Sequence, residues 1–379
     1  MTNPALAAVL NDKETLELRE LPLPPIGDDD GLLRIEACGI CGSDIAQFRG
    51  ELAWGHGYPV IPGHEIVGRI DQLGRHAARR WNVQEGDLVT VDPFLACGCC
   101  DTCMSGRYIN CTNNWGDKQQ SYGFIGTEYA PGLWGGYSQY LYLHRNARLY
   151  KFPAGVAANQ AVLFNTLGGG IRWAVTVPKL GIGDTIVIMT PGQRGLTSVI
   201  AAREAGAGKI IVAGRKDSYK MALARELGAD VTINFQRENL LERVKEETAG
   251  RLADVVLDLT PEATQPVLDA IEIVRPGGTV VLAGSKGART VAIPTDTLMW
   301  KDITLRGVVG VGHREYRQAI SIIASGKYPL HRLMTHRFPL REAETAIRTL
   351  AGESPVEEPM CIAIEPWLDE RQHLQGDMK

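Results

Sequence analysis

The chain has 379 residues, long enough for two domains, each with its own core. Hydrophobic residues make up 44% and charged residues 22%, an ordinary balance for a soluble globular protein. A formal net charge of −4 supplies no overall basic field, so neither nucleic acid nor an acidic membrane is an expected partner.

The opening stretch "MTNPALAAVLNDKETLELRE" lacks a basic start followed by an apolar core, so no signal peptide is expected. No apolar run is long enough to span a bilayer. The expected location is cytoplasmic, where thiols stay reduced. Up to about residue 160 the chain is rich in glycine, short apolar runs and turns. "LLRIEACGI", "HEIVGRI", "GDLVTVDP" and "GGYSQYLYLH" read as strands of an irregular, mostly β domain. Within it, "GICGSD" (39–44) and "PGHEIVG" (62–68) place Cys41 and His64–Glu65, all metal-ligand types, on turns next to strands. A lone Cys or His in such a place is more often structural. Phe48, Trp54, Tyr58 and Trp115 lie in loops that could line an apolar pocket or simply pack.

"CGCCDTCMSGRYINC", from Cys97 to Cys111, holds five of the eight cysteines. Disulfides, a metal and chance are the candidate explanations, and a reducing compartment favours metal. Cys97, Cys100 and Cys103 recur every third residue and Cys111 follows eight later, a spacing that suits closed four-thiolate zinc. Cys99 would point elsewhere. A closed site leaves no position for substrate, so its role is to pin a loop with few apolar residues.

From about residue 180 strands and helices alternate. "TIVIM" (185–189), "KIIVAG", "VTIN", "DVVLDL" and "TVVLAG" read as strands, and "LTSVIAAREAGA" and "SYKMALARELGA" as helices. That order predicts a doubly wound parallel sheet covered on both faces. Between the first strand and its helix lies "TPGQRG" (190–195), comprising Thr190, Pro191, Gly192, Gln193, Arg194 and Gly195. Gly192 and Gly195 take the second and third glycine positions of a dinucleotide fingerprint, with Thr190 at the first. The second strand ends at Gly214, where an NAD site would place a carboxylate, and Arg215 and Lys216 follow. Two cations and no carboxylate suit a 2′-phosphate, although Asp217 lies close by.

Taken together, these motifs make the chain resemble the zinc-containing medium-chain alcohol dehydrogenases over nearly its whole length, with "GGYSQY" and "HRFPLREAETAI" as further similar segments. The resemblance implies an α/β fold: a GroES-like catalytic domain over 1–164 and 310–379, and a Rossmann cofactor domain over 165–309. It implies a catalytic zinc on Cys41 and His64, with Glu65 a further ligand or a neighbour of the metal. Ser43 would pass on the alcohol proton and Asp44 would orient the His64 side. It also implies a homo-oligomer, dimer or tetramer. NADP(H) is the preferred cofactor and NAD(H) the other. The substrate would be a small-molecule alcohol and its aldehyde or ketone, with a bulky or aromatic alcohol as the guess.

The family's third catalytic ligand is usually Cys, Asp or Glu, and here register places Asn165 there, or Thr166 one residue on. Both are neutral, so Glu65 coordinates directly, or zinc is weak or absent. A histidine that relays the proton in some members is replaced by Ala46. The leading reading is a zinc-dependent alcohol dehydrogenase or carbonyl reductase. A second keeps only the structural zinc, as a double-bond reductase or degenerate member. A third, a zinc-ribbon nucleic-acid binder, runs against the acidic balance.

Overall fold

The computed structural model describes residues 4–52, 55, 57–113, 120–216, 218–355 and 358–368. Trp54, Trp115 and Asp217 lie outside the described residues. The chain divides into two compact units, Met1–Phe164 with Ile320–Lys379, and Asn165–Ala319. No helix among the described residues is long and apolar enough to cross a membrane.

The first unit opens with an antiparallel hairpin, β1 (Ala5–Asp12) and β2 (Thr15–Leu21). Then come β3 (Gly31–Gly39), β4 (Glu65–Leu73), β5 (Leu88–Val91), β6 (Tyr140–Leu143) and β7 (Leu149–Lys151). The second unit supplies β8 (Thr185–Met189), β9 (Lys209–Gly214), β10 (Val231–Asn234), β11 (Ala253–Asp258), β12 (Val274–Leu282) and β13 (Thr304–Gly307). The chain then returns to the first unit for β14 (Met334–Pro339) and β15 (Cys361–Glu365).

In the first unit the main sheet runs β14-β15-β3-β4-β5-β7, with β6 on β3. Its centre is β3 against β4, antiparallel, with Gly39 opposite Glu65. Ile35, Ile66, Val89, Leu141 and Ile364 fill the core beneath it. Burial of such side chains contributes roughly 1.5–3 kcal/mol each. Phe48 belongs to this core at 2% exposure, with the Arg348 guanidinium over its ring at 5.0 Å.

The second unit is a six-stranded sheet ordered β10-β9-β8-β11-β12-β13, parallel throughout. Every residue of β8 is buried, as a strand covered on both faces requires. The order reverses between β8 and β11, which opens a crevice at their carboxyl ends. Residues 310–319, expected with the first portion, cluster in this second unit. The Trp173 indole N–H donates to the Gly310 carbonyl at 3.1 Å, and the buried Tyr316 hydroxyl accepts the Asn165 amide at 3.1 Å.

Candidate active site

β3 ends at Gly39, and Cys41 caps the short helix Gly42–Phe48. The Cys41 backbone N–H donates to Asp44 Oδ2 at 2.7 Å, so an acid in the first helical turn fixes the cysteine at its start. Across the ladder, β4 begins at Glu65, bringing His64 and Glu65 beside Cys41. One ligand atom from each of Cys41, His64 and Glu65 lies within 4.8 Å of the others. His64 and Glu65 are buried, at 8% and 2% exposure. Gly63 permits this delivery. Its φ is +90°, and a Cβ there would sit 2.5 Å from the Tyr137 ring and 2.8 Å from Cys38 Sγ.

His64 Nδ1 lies 3.3 Å from Asp44 Oδ1, and Asp44 is 1% exposed. Burial opposes a charged imidazole, yet the Asp44 carboxylate and the Cys41 sulfur together outweigh it and hold the His64 pKa well above its ordinary value. With Nδ1 turned to Asp44, Nε2 is the nitrogen left for a metal. Ser43 is half-buried in the same helical turn. Three neighbours escaped the sequence reading. Phe124 covers His64 with ring centroids 5.3 Å apart, and Gln47 Nε2 donates to the Gly123 carbonyl at 3.0 Å, holding that cover in place. Tyr137 is fully buried with its hydroxyl unpaired. Phe124 and Tyr137 meet the site from segments distant in sequence, so no local spacing marks them, whereas Gln47 lies in the helix that Cys41 caps.

In the cysteine loop, the sulfurs of Cys97, Cys100, Cys103 and Cys111 lie within 4.8 Å of one another. Cys97 to Cys103 is 4.0 Å, Cys100 to Cys111 is 3.8 Å and Cys111 to Cys97 is 3.6 Å. Four sulfurs about 2.3 Å from one tetrahedral centre are about 3.8 Å apart. Backbone N–H groups of Cys99 and Cys100 donate to Cys97 Sγ at 3.5 and 3.4 Å. These bonds draw the Cys97 thiol down to about 7, and the Thr102 hydroxyl draws Cys100 down to about 4, while burial pushes Cys103 up to about 12. Cys99 is exposed and outside the cluster. Asp92, fully buried just past β5, anchors the loop by accepting the Tyr108 hydroxyl at 2.6 Å.

In the second unit, Gly192 caps the helix Gln193–Glu204, whose first-turn N–H groups point out of the sheet's carboxyl end. A Cβ at Gly192 would meet nothing within 4 Å, which leaves room for a phosphate, while one at Gly195 would strike the Thr190 carbonyl at 2.0 Å. Thr190 has φ +96°, a conformation that costs a β-branched residue. Gly214 ends β9 beside this loop, where a Cβ would lie 2.8 Å from Met221 Sδ. Arg215 and Lys216 are exposed just beyond it. Arg194, in the first turn of this helix, reaches Asn165. Its guanidinium donates to the Asn165 carbonyl and to Asn165 Oδ1, both at 2.9 Å, and lies 4.8 Å from the Trp173 ring centroid. A cation holds the Asn165 side-chain oxygen, and the Asn165 amide donates to the Tyr316 hydroxyl.

Residues 27–154 match the alcohol dehydrogenase GroES-like domain, and residues 195–325 match the zinc-binding dehydrogenase domain. A Mycobacterium tuberculosis protein carrying an alcohol dehydrogenase name is 40% identical over 92% of this chain and 94% of its own length. The chain belongs to the zinc-containing medium-chain alcohol dehydrogenase family. The sorbitol dehydrogenase of Bacillus subtilis is 30% identical, covering 90% of this chain and 92% of its own. An alcohol dehydrogenase of Thermotoga maritima superposes with a TM-score of 0.84 at 27% identity, over 96% of this chain and 100% of that one. A zinc-binding dehydrogenase of Sinorhizobium meliloti, solved with NADP, gives 0.83 at 25% identity, over 96% and 100%. This dehydrogenase is therefore a zinc-dependent oxidoreductase, and neither the nucleic-acid reading nor the reading with structural zinc alone is favoured.

Proposed function

We propose that this dehydrogenase interconverts a small-molecule alcohol and its aldehyde or ketone at a zinc held by Cys41, His64 and Glu65. The observation that carries the reading is the convergence of those three ligand atoms within 4.8 Å. Thiolate, imidazole and carboxylate form a zinc donor set, and three protein ligands leave the fourth position for substrate. Bound there, zinc supplies Lewis acidity to the substrate oxygen. Asp44 holds the His64 ring, and the Cys41 cap holds the sulfur. Ser43, in the same turn, takes up the alcohol proton as it passes its own hydroxyl proton onward. Glu65 takes the place that Asn165 cannot fill. The four cysteines Cys97, Cys100, Cys103 and Cys111 hold a second, structural zinc.

The residues of the second unit fit a nicotinamide dinucleotide, which accepts or returns the hydride. Gly192 and the N–H groups of Gln193 and its neighbours take the pyrophosphate, and Gly195 keeps the helix close to the sheet. Arg215 and Lys216, exposed past Gly214, favour NADP(H) over NAD(H). Residues 1–164 and the C-terminal segment form the catalytic part, and 165–309 the core of the cofactor part. Self-association through β13 completes the reading. That strand pairs only with β12 among the described residues, and Trp300 and Met299 beside it are 82% and 65% exposed.

The test of cofactor choice is kcat/KM for both nicotinamides with a panel of alcohols, in the parent and in Arg215→Ala. A parent preferring NADP(H) whose preference falls about tenfold in the variant supports the assignment. A parent preferring NAD(H), with the variant indifferent to the 2′-phosphate, overturns it.

A further inference from the structure

A buried charged cluster sits at the carboxyl end of the six-stranded sheet. Asp258, the last residue of β11, is fully buried. Lys286, just past β12, reaches it with Nζ 2.7 Å from Oδ2, and its side chain is 13% exposed. The same ammonium donates to the Thr260 carbonyl at 2.7 Å and to its hydroxyl at 3.1 Å. Thr260 in turn donates its N–H to Asp258 Oδ1 at 2.9 Å, and its hydroxyl to the same oxygen. The backbone tightens this clamp. Ala283 and Gly284 donate to the Asp258 carbonyl at 2.9 and 3.1 Å, and Glu262 donates to Ser285 at 2.8 Å. A Cβ at Gly284 would lie 2.4 Å from the Thr260 carbonyl, so the loops after β11 and β12 touch.

The position gives the clamp its meaning. Asp258 pairs with Met189, the residue before the phosphate loop, across the point where strand order reverses. A dinucleotide with its pyrophosphate at the helix after β8 and its adenosine at the end of β9 extends its other half over β11 and β12. The Lys286 charge is spent on Asp258 and Thr260, so it is not offered to a phosphate. A buried ion pair costs desolvation that an apolar pair would avoid, which makes loop geometry, rather than stability, its best return. We infer that Lys286 and Asp258 are a positioning pair that presets the β11 and β12 loops to receive the nicotinamide riboside half of the cofactor. This rests on the nicotinamide reading above.

The experiment is calorimetric titration of parent, Lys286→Met and Thr260→Val. The ligands are NADPH or NADH, whichever the parent binds, and the matching adenosine fragment, adenosine 2′,5′-bisphosphate or 5′-AMP. Thr260→Val keeps the ion pair and removes only the hydroxyl, so it remains informative should Lys286→Met fold poorly. The dinucleotide Kd should rise about tenfold in Lys286→Met and about threefold in Thr260→Val, with the fragment Kd unchanged in both. Equal weakening of dinucleotide and fragment would show general damage and overturn the inference, as would unchanged affinity for both ligands. A parent that binds neither dinucleotide would overturn the cofactor reading itself, and the inference with it.

Discussion

Arg194 grips Asn165 at two points, with one guanidinium nitrogen on its backbone carbonyl and another on its side-chain oxygen, each at 2.9 Å. The residue that register aligns with a catalytic ligand is thus tied to a cation, and an arginine on the phosphate loop is turned into a structural brace. Asn165→Ala would remove one hydrogen bond from the buried Tyr316 hydroxyl and one from the Arg194 guanidinium. It should cost about 1–3 kcal/mol in chemical denaturation while zinc content stays at the parent value. A variant that loses one zinc equivalent would return Asn165 to the metal shell.

On the proposed reading, Cys103 is a zinc ligand and Cys99, four residues before it, a bystander. Cys103→Ser should remove one zinc equivalent and lower the Tm, because a loop with few apolar residues loses its clamp. Cys99→Ser, at an exposed thiol outside the cluster, should leave both unchanged. Metal analysis and a melting curve of the two variants check this, and equal damage from both would refute the assignment.

Thr190 holds φ +96° where the fingerprint expects glycine. Thr190→Gly relieves that conformation, at the expense of a looser unfolded chain and a lost side chain. The net expectation is a stabilisation of about 1 kcal/mol in urea unfolding. Destabilisation by a similar amount would mean that the threonine side chain holds the loop.

How legible the molecule is from sequence depends on how local each signal is. β8, β9 and β11 show as apolar runs because both faces of a parallel sheet are covered, and the four cysteines show because their spacing is itself the site. β13, "TLRG", is an edge strand with mostly exposed side chains, so no apolar pattern announces it. The Asn165–Tyr316 contact joins residues 151 apart, and Phe124 meets His64 only after the chain folds back. Spacing along the chain carries no trace of either.

Asp92 gives the pH dependence. Burial raises its pKa from 3.8 to about 6, against the Tyr108 and Tyr150 hydroxyls that accompany it. The folded state therefore holds the proton more tightly than the unfolded chain. This contribution to stability is full below about pH 4 and is lost as pH rises through 6, by about 3 kcal/mol in all. Asp92→Asn keeps an acceptor for Tyr108 and cannot ionise. Its stability relative to the parent should rise between pH 4 and pH 7, measured by urea unfolding across that range. A constant difference across the range would show that the carboxyl does not titrate there.

On the proposed mechanism Glu65, with Cys41 and His64, completes the catalytic zinc shell. Its most direct test is zinc per chain, measured beside alcohol-dependent reduction of the nicotinamide, in the dialysed parent and in Glu65→Ala. The Glu65→Ala variant should lose one zinc equivalent and nearly all turnover, while the structural zinc and cofactor affinity persist. A Glu65→Ala enzyme with the parent's zinc content and parent turnover would contradict it.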